Sequence, residues 1–307
     1  MENKLIVIVG PNASGKSDIA VRIALRFGGE VISADSRQVY KGMDIGSGKI
    51  KKSEMKGVPH HLLSVANPKS VFTVTRYRKL AMSAIKKTQK AGKIPILCGG
   101  TGFYIQAVID GIIIPQVKPD WKLRRKLEKF SADKLFAMLK KLDPSRAKNI
   151  ESKNPRRIIR AIEIIKSTGK PVPKLKKEPL PYPILVLGIK KSEKELKKLI
   201  ERRTEKRIRA GMVAETARLK KSGLSWQKLE ELGLEYRATA RFLQKKTTRE
   251  QMIETIKKED WQYAKRQMTW FKKDPRARWI KTSSQAIKST QKYLSAFQES
   301  NHRVNGR

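Results

Sequence analysis

The chain reads VIVGPNASGKS from Val7 to Ser17. This stretch contains the pattern G-x-x-x-x-G-K-[ST], and its surroundings predict a strand before the glycine-rich loop and a helix after it. Backbone N–H groups of such a loop and the N-terminus of the helix bind phosphate oxygens, while Lys16 adds a full positive charge. The stretch therefore predicts a pyrophosphate site. It leaves open whether the ligand is a nucleoside triphosphate or another pyrophosphate.

Four apolar runs along the chain have the length of buried strands. They lie at residues 5–9, 30–35, 94–98 and 184–189. Helical patterns separate them, and this alternation predicts an α/β fold with a P-loop NTPase-like, doubly wound parallel sheet. Ligands of such sheets bind beyond the carboxyl ends of the strands, where Asp35 and Thr101 join the glycine-rich loop. We therefore expect these three segments to form one site.

The composition changes near Pro115, where helical patterns replace strand patterns until Ile184. We interpret this region as an inserted helical subdomain, after which the chain completes its sheet and remains helical. The predicted divisions are the first part of the core at 1–115, the insert at 116–182, the completed core with helical segments at 183–298, and a flexible tail at 299–307.

The chain is strongly basic, because its 307 residues include 70 Lys and Arg against 28 Asp and Glu, a formal net charge of +42. This excess predicts a polyanionic partner, with nucleic acid first, although lysine runs can also be ordinary solvated surface. The single cysteine, Cys98, excludes an internal disulfide framework and fits a reducing compartment. No signal peptide and no apolar run of about 20 residues is evident, so we expect a cytoplasmic protein without membrane contact.

Asp35 lies in the segment SADSRQ, close behind the first helix. A carboxylate near the phosphate end of the sheet could ligate Mg²⁺, act as a general base on an acceptor, or cap a turn. We favour the general base. Arg37 and Gln38, which follow it, are suited to hold a base edge or a ribose.

Arginines occupy positions where helical periodicity places core residues. In the helix predicted at 193–210, Arg203 and Arg207 fall on the same face as Leu196. An inward arginine needs an anion, and a departing pyrophosphate is one.

A second arginine cluster occupies the first turns of a helix that begins after Asn154. Arg156, Arg157 and Arg160 oppose the helix dipole there, which costs stability. We favour an external anion such as RNA phosphate as the explanation, with salt bridges to acids elsewhere in the chain as the alternative.

Several motifs together resemble one family. GPNASGKS, SADSRQVYKGMDIG, PHHLL, AGKIPILCGGTGFYIQAV, NPRRIIRAIEI and YAKRQMTWF occur in the order and spacing of bacterial tRNA dimethylallyltransferases, and the resemblance covers nearly all of residues 4–280. It implies transfer of a dimethylallyl group from dimethylallyl pyrophosphate to N6 of adenosine 37, next to the anticodon of tRNAs that read codons beginning with U. It also implies Mg²⁺ as a cofactor and the tRNA anticodon stem-loop as a partner. We expect a monomer.

The resemblance assigns roles residue by residue. The catalytic residues would be Asp35 as the base, with Thr101, Arg203 and Lys16 stabilising the leaving pyrophosphate. The donor pyrophosphate would bind Gly10, Pro11, Asn12, Ala13, Ser14, Gly15, Lys16 and Ser17, and Ser17 would hold Mg²⁺. The tRNA-binding residues would be Asp35, Ser36, Arg37, Gln38, Thr101, Arg124, Arg156, Arg157, Ile158, Ile159, Arg160, Leu232, Gly233, Leu234, Glu235, Tyr236 and Arg237.

The chain departs from the family pattern at a few positions. Members commonly have threonine in place of Asn12, whose amide we expect to donate hydrogen bonds to the donor phosphates. The segment IGSGK at 45–49 replaces the usual IGTAK, and LGLEYR at 232–237 replaces a GYR-like segment.

Three other functions agree with parts of the sequence. A P-loop kinase of a small metabolite explains the loop and Asp35, but not the charge or the arginine-rich insert. An adenylate isopentenyltransferase would have little use for a tRNA-binding insert. A non-catalytic RNA-binding switch would bind RNA without needing Asp35 for turnover.

Overall fold

The computed structural model describes residues 3–115 and 117–304, with side chains described through residue 296. The chain forms two compact units. One comprises Met1–Asp110 with Leu180–Arg307, and the other is Gly111–Pro179. The helical insert predicted at 116–182 falls largely within the second unit.

The strands of the larger unit form one parallel sheet. Their bounds are β1 Leu5–Val9, β2 Gly29–Ser33, β3 His60–His61, β4 Ile94–Gly99, β7 Ile184–Ile189 and β8 Ala277–Ile280. The strand order is β3-β2-β4-β1-β7-β8, and every neighbouring pair is parallel. This arrangement confirms the predicted doubly wound sheet. In the smaller unit, β5 Ile112–Ile113 pairs antiparallel with β6 Lys176–Lys177.

Helices connect and flank these strands. In the larger unit they are α1 Lys16–Phe27, α2 Lys52–Met55, α3 Val74–Lys90, α4 Gly102–Ile109, α9 Glu193–Arg209, α10 Met212–Lys221, α11 Trp226–Glu231, α12 Leu234–Leu243, α13 Arg249–Phe271 and α14 Ser283–Val304. In the smaller unit they are α5 Trp121–Leu127, α6 Ala132–Leu142, α7 Pro144–Lys148 and α8 Pro155–Thr168. None of the helices in the described ranges is long and apolar enough to cross a membrane.

The sheet lies between two hydrophobic layers. Along β1, Leu5, Val7 and Val9 face a cluster that includes side chains of α3, α4 and α12. Ile6 and Ile8 face the opposite cluster, which α1 and α14 complete. Alternating side chains that are apolar on both faces are what a covered parallel strand requires. Because the strands are parallel, the loops that follow β1, β2 and β4 all begin at the same end of the sheet, beyond the carboxyl ends of the strands.

The sequence prediction missed β3, β5, β6 and β8. β3, β5 and β6 have two residues each, too few for a periodic pattern. β8 is the four-residue run ARWI, in which a charged residue interrupts the apolar ones. Its pairing with β7 supplies the backbone hydrogen bonds that define it. The flexible tail predicted at 299–307 stays a prediction: α14 continues to Val304, and residues 305–307 lie outside the described residues.

The smaller unit has its own core and a buried carboxylate. Glu163 is buried and accepts hydrogen bonds from Arg124 Nε and Nη2 at 2.8 and 2.7 Å, from Arg160 Nη1, and from the Asp120 N–H at 2.7 Å. Burial raises the pKa of Glu163, but the hydrogen bonds from Arg124 and Arg160 outweigh it and hold the pKa below its ordinary value. Internal salt bridges therefore occupy two of the arginines that we predicted to bind tRNA.

Two further tRNA predictions in this unit need correction. The side chains of Ile158 and Ile159 lie in the hydrophobic core with Leu127, Leu135 and Ile162, so they cannot contact an RNA. By contrast, Arg156 and Arg157 are exposed. Arg157 lies 3.8 Å from a carboxylate oxygen of Glu151 in an exposed ion pair, and such pairs contribute little to stability.

Candidate functional site

A cavity of about 650 Å³ opens beyond the carboxyl ends of β1, β2 and β4. Its walls come from the glycine-rich loop at 12–18, the turn at 35–38, the loop around Gly48, and residues 98–100 after β4. The inward side of α9, the start of α12 and one face of α13 complete it. Segments distant in sequence thus converge here, as the ends of parallel strands predict.

The glycine-rich loop has the conformation of a phosphate site. Gly15 adopts φ 87° at the N-cap of α1, which begins at Lys16, so the orphan N–H groups of the first helical turn face the loop. The Lys16 ammonium donates to the Pro11 carbonyl at 2.6 Å, and burial lowers the pKa of Lys16 to about 8. The Ser14 hydroxyl is buried without a hydrogen-bond partner among the described residues. Ser17 is exposed at the cavity.

Asp35 caps the turn that follows β2. Its Oδ1 accepts hydrogen bonds from the backbone N–H groups of Arg37 at 2.8 Å and Gln38 at 3.2 Å. The Thr101 Oγ1 accepts from the Ser36 N–H at 3.0 Å, which ties the loop after β4 to this turn. Of the three roles considered for Asp35, the turn cap is therefore present. The role of general base stays a prediction.

Arg203 and Arg207 line the cavity from α9, as the helical pattern predicts. Arg207 Nη1 donates to Glu235 Oε1 at 2.7 Å. Arg203 has no hydrogen bond or ion pair with any described residue, and burial, together with the neighbouring Arg207 charge, lowers its pKa to about 10. A half-buried guanidinium without a hydrogen-bond partner is suited to bind an anionic ligand.

Gly48 packs directly against both guanidinium groups. It adopts φ 59°, and a Cβ built on it would lie 2.1 Å from Arg207 Nη2 and 2.2 Å from Arg203 Nη2. The loop that carries Gly48 is anchored by the buried Glu215, whose carboxylate accepts from the N–H groups of Asp44, Ile45 and Gly46 at 2.8–2.9 Å. In this chain the loop therefore lies in direct contact with both arginines at Gly48.

Helix α13 holds the other side of the glycine-rich loop. The Asn12 N–H donates to Gln267 Oε1 at 2.7 Å, and Asn12 Nδ2 donates to Asp260 Oδ1 at 2.9 Å. Gln267 Nε2 in turn donates to the Gly100 carbonyl at 2.8 Å. Burial and the nearby Glu235 charge raise the pKa of Asp260 above its ordinary value. The expectation that the Asn12 amide donates to donor phosphates is wrong for this conformation, because Asp260 occupies that amide.

The segment at 232–237 divides between core and cavity. Leu232 and Tyr236 are buried, and the Tyr236 hydroxyl donates to Glu215 Oε1 at 2.7 Å, so these side chains do not face a tRNA. Gly233, Leu234, Glu235 and Arg237 line the cavity instead. The prediction of tRNA contact is thus corrected for Leu232 and Tyr236. It stays a prediction for the four residues that line the cavity.

Sequence analysis missed Asp260, Gln267 and Glu215. The first two fall on one face of α13 with the buried Ala264 and Phe271, a helical spacing that places polar residues at core positions. Two polar residues on an otherwise apolar helix face indicate a buried polar site, and this pattern is visible in the sequence. Glu215 carries no comparable signal, because its partners are backbone N–H groups of a loop about 170 residues away in sequence.

Comparison with known proteins gives consistent matches. The family model described as IPP transferase matches residues 38–274. A tRNA dimethylallyltransferase of Pelotomaculum thermopropionicum is 39% identical over 91% of this chain and 92% of its own length, and one of Carboxydothermus hydrogenoformans is 39% identical over 96% and 97%. The full-length tRNA isopentenylpyrophosphate transferase of Bacillus halodurans superposes with a TM-score of 0.73 at 34% identity, with both chains fully covered. A eukaryotic dimethylallyltransferase acting on tRNA gives 0.76 at 27% identity, over 100% of this chain and 80% of that one.

Proposed function

Because this chain belongs to the IPP transferase family, we propose that it transfers a dimethylallyl group from dimethylallyl pyrophosphate to N6 of adenosine 37 in tRNAs that read codons beginning with U. The products are N6-(dimethylallyl)adenosine and pyrophosphate. The observation that carries the proposal is the cavity in which the glycine-rich loop and the Asp35 turn share one space with Arg203. A diphosphate donor and an acceptor amine can meet there.

The residues of the cavity suit a displacement at the allylic carbon. The adenine N6 nitrogen forms the new C–N bond, the allylic C–O bond breaks, and the pyrophosphate leaves with the bonding electrons. Lys16 and Arg203 stabilise the negative charge that develops on the leaving group. Asp35 accepts the proton that N6 loses. Its Oδ1 is held by two backbone N–H groups, so the carboxylate has a fixed position before the acceptor binds.

The site fits a magnesium ion that is held mainly by the substrate. Mg²⁺ prefers oxygen ligands and commonly uses one or two protein groups, water and substrate phosphates. The exposed Ser17 hydroxyl at the start of α1 offers such a ligand, while the described residues contain no group of three or more His, Cys, Asp and Glu side chains that could hold a metal. We assign Ser17 to Mg²⁺. When bound, the ion would neutralise phosphate charge.

The tRNA side of the proposal rests on charge and on the turn residues. Arg37, Gln38 and Arg237 line the cavity and can hold the target nucleotide, which must leave its base stack to react. We assign the exposed Arg156 and Arg157 of the helical unit to the phosphates of the anticodon stem-loop. A net charge of +42 favours such a partner. A cytoplasmic monomer acting on one tRNA at a time completes the proposal.

A direct test supplies unmodified tRNA and Mg²⁺ to the purified protein, with dimethylallyl pyrophosphate in one reaction and ATP in another. Nucleoside mass spectrometry then reads the adenosine mass. The expected result is a dimethylallyl mass gain on adenosine 37 only with the isoprenoid donor. No gain there, combined with ATP consumption in the second reaction, would contradict the proposal and favour a kinase or an ATP-dependent switch.

Donor binding should weaken as the pH rises through the pKa of Lys16. Burial lowers that pKa to about 8, so the ammonium that binds phosphate is present below pH 8 and is lost above it. We expect the Kd for dimethylallyl pyrophosphate to rise about tenfold between pH 7 and pH 9. The donor phosphates are already ionised over this range. Titration calorimetry of Lys16→Arg provides the control, because arginine stays charged and should flatten the profile; an equally flat wild-type profile would refute the assignment.

A further inference from the structure

Gln267 connects two loops of the cavity with the two ends of its side-chain amide. Its Oε1 accepts a hydrogen bond from the Asn12 N–H at 2.7 Å, and its Nε2 donates to the Gly100 carbonyl at 2.8 Å. Asn12 belongs to the glycine-rich loop, and Gly100 belongs to the loop after β4. The strands before these loops pair as far as Val9 and Gly99. Gln267 therefore continues the connection between the two chain segments past the last paired residues.

The loop after β4 is joined in turn to the segment that carries Asp35. The Thr101 N–H donates to the Ala34 carbonyl at 3.1 Å, and the Thr101 Oγ1 accepts from the Ser36 N–H at 3.0 Å. Asp35 lies between these two partners in the chain. A series of hydrogen bonds thus connects the glycine-rich loop, through Gln267 and the loop after β4, to both sides of Asp35.

Packing alone does not require a polar side chain at the position of Gln267. This residue is 5% exposed and shares its face of α13 with the buried Ala264 and Phe271. An amide in such a place costs free energy unless its hydrogen bonds are made. An apolar side chain would fill the space without that requirement, but it could hold neither loop.

We propose that Gln267 is a positioning residue that fixes the distance between the glycine-rich loop and the Asp35 turn. The catalytic part of this inference rests on the proposed function, in which the loop binds the donor pyrophosphate and the turn faces the acceptor amine. The reacting carbon and nitrogen have to approach to about 3 Å, and a misplacement of about 1 Å lowers the rate about 100-fold. Because both ends of its amide bond to the protein, Gln267 acts on the reaction through these two segments.

Hydrogen exchange in Gln267→Met tests the connection without requiring activity. Methionine keeps the length of the side chain and its packing, but it removes the amide. The loss of an ordinary hydrogen bond should speed amide exchange about tenfold, both in the glycine-rich loop and in residues 34–38, at the far end of the series. Gln262→Met is the same change at an exposed position of α13 that does not line the cavity, so it should leave both segments unchanged.

Single-turnover kinetics with saturating tRNA and dimethylallyl pyrophosphate test the consequence for catalysis. The rate constant of Gln267→Met should fall about 100-fold. The Kd for pyrophosphate, measured by titration calorimetry, and the Kd for tRNA, measured by filter binding, should stay close to their wild-type values. A protein that is merely destabilised would react with a smaller amplitude but with the wild-type rate constant, so the measurement separates positioning from a structural role.

Two results would overturn the proposal. One is unchanged exchange at residues 34–38 in a folded Gln267→Met protein, and the other is a wild-type rate constant in that variant. If the methionine variant does not fold, Gln267→Glu takes its place in both measurements at pH 8, because an ionised carboxylate accepts from the Asn12 N–H but cannot donate to the Gly100 carbonyl. A wild-type protein without transferase activity, combined with the expected change in exchange, would refute the proposed function and leave the connection between the loops in place.

Discussion

Asp35→Asn is expected to lower kcat about 1000-fold with little change in tRNA affinity, because it removes the proton acceptor and keeps the turn. The Asp35 Oδ1 accepts from the N–H groups of Arg37 and Gln38, and the amide oxygen of asparagine can accept both bonds. Single-turnover kinetics with saturating tRNA and donor measure the chemical step. A filter-binding titration measures tRNA affinity in parallel.

The comparison with Asp35→Ala separates the two roles of this side chain. Alanine removes the base and the turn cap together, so tRNA affinity should fall as well as kcat, since Arg37 and Gln38 lose their fixed positions. Lys41→Gln, a change at an exposed position outside the cavity, serves as the control. If Asp35→Asn retained wild-type turnover, the base would have to be another group and the mechanism proposed for the cavity would be wrong.

The sequence was sufficient for the architecture and for the phosphate end of the site. β1, β4 and β7 are apolar runs whose burial on both faces leaves a strong signal, and the glycine-rich loop has a spacing that few other structures require. Arg203 and Arg207 were predictable because helical periodicity places them on the apolar face of α9. These features are local, so a window of about 20 residues contains them.

The remainder of the site depends on contacts that no local window contains. Asn12 and Asp260 are 248 positions apart, and their pairing changed the role expected of Asn12. Burial also decided between tRNA contact and core packing at positions where the motif alone could not distinguish the two roles. Ile158 lies inside a segment that matches the family, and Leu232 and Tyr236 lie inside one to which the resemblance assigns tRNA contact, yet all three side chains belong to the cores of their units. A motif match therefore identifies a segment, and packing decides which of its side chains reach a ligand.

Arg203→Met is expected to lower kcat/KM about 100-fold, because it removes the guanidinium group that faces the leaving pyrophosphate. Arg203 lines the cavity and is not engaged by another described residue, so this group is available to the ligand. The loss of one charge-stabilising contact in such a site typically lowers the rate by two to three orders of magnitude. Steady-state kinetics with varied donor concentration measure the effect.

Arg202→Met is the matched control for this change. Arg202 lies on the same helix, but it is exposed and does not line the cavity. Both methionine substitutions remove one positive charge, so a general loss of attraction for tRNA should affect both variants equally. Only Arg203→Met should show the 100-fold loss. Equal activity of the two variants would exclude Arg203 as the group that stabilises the pyrophosphate.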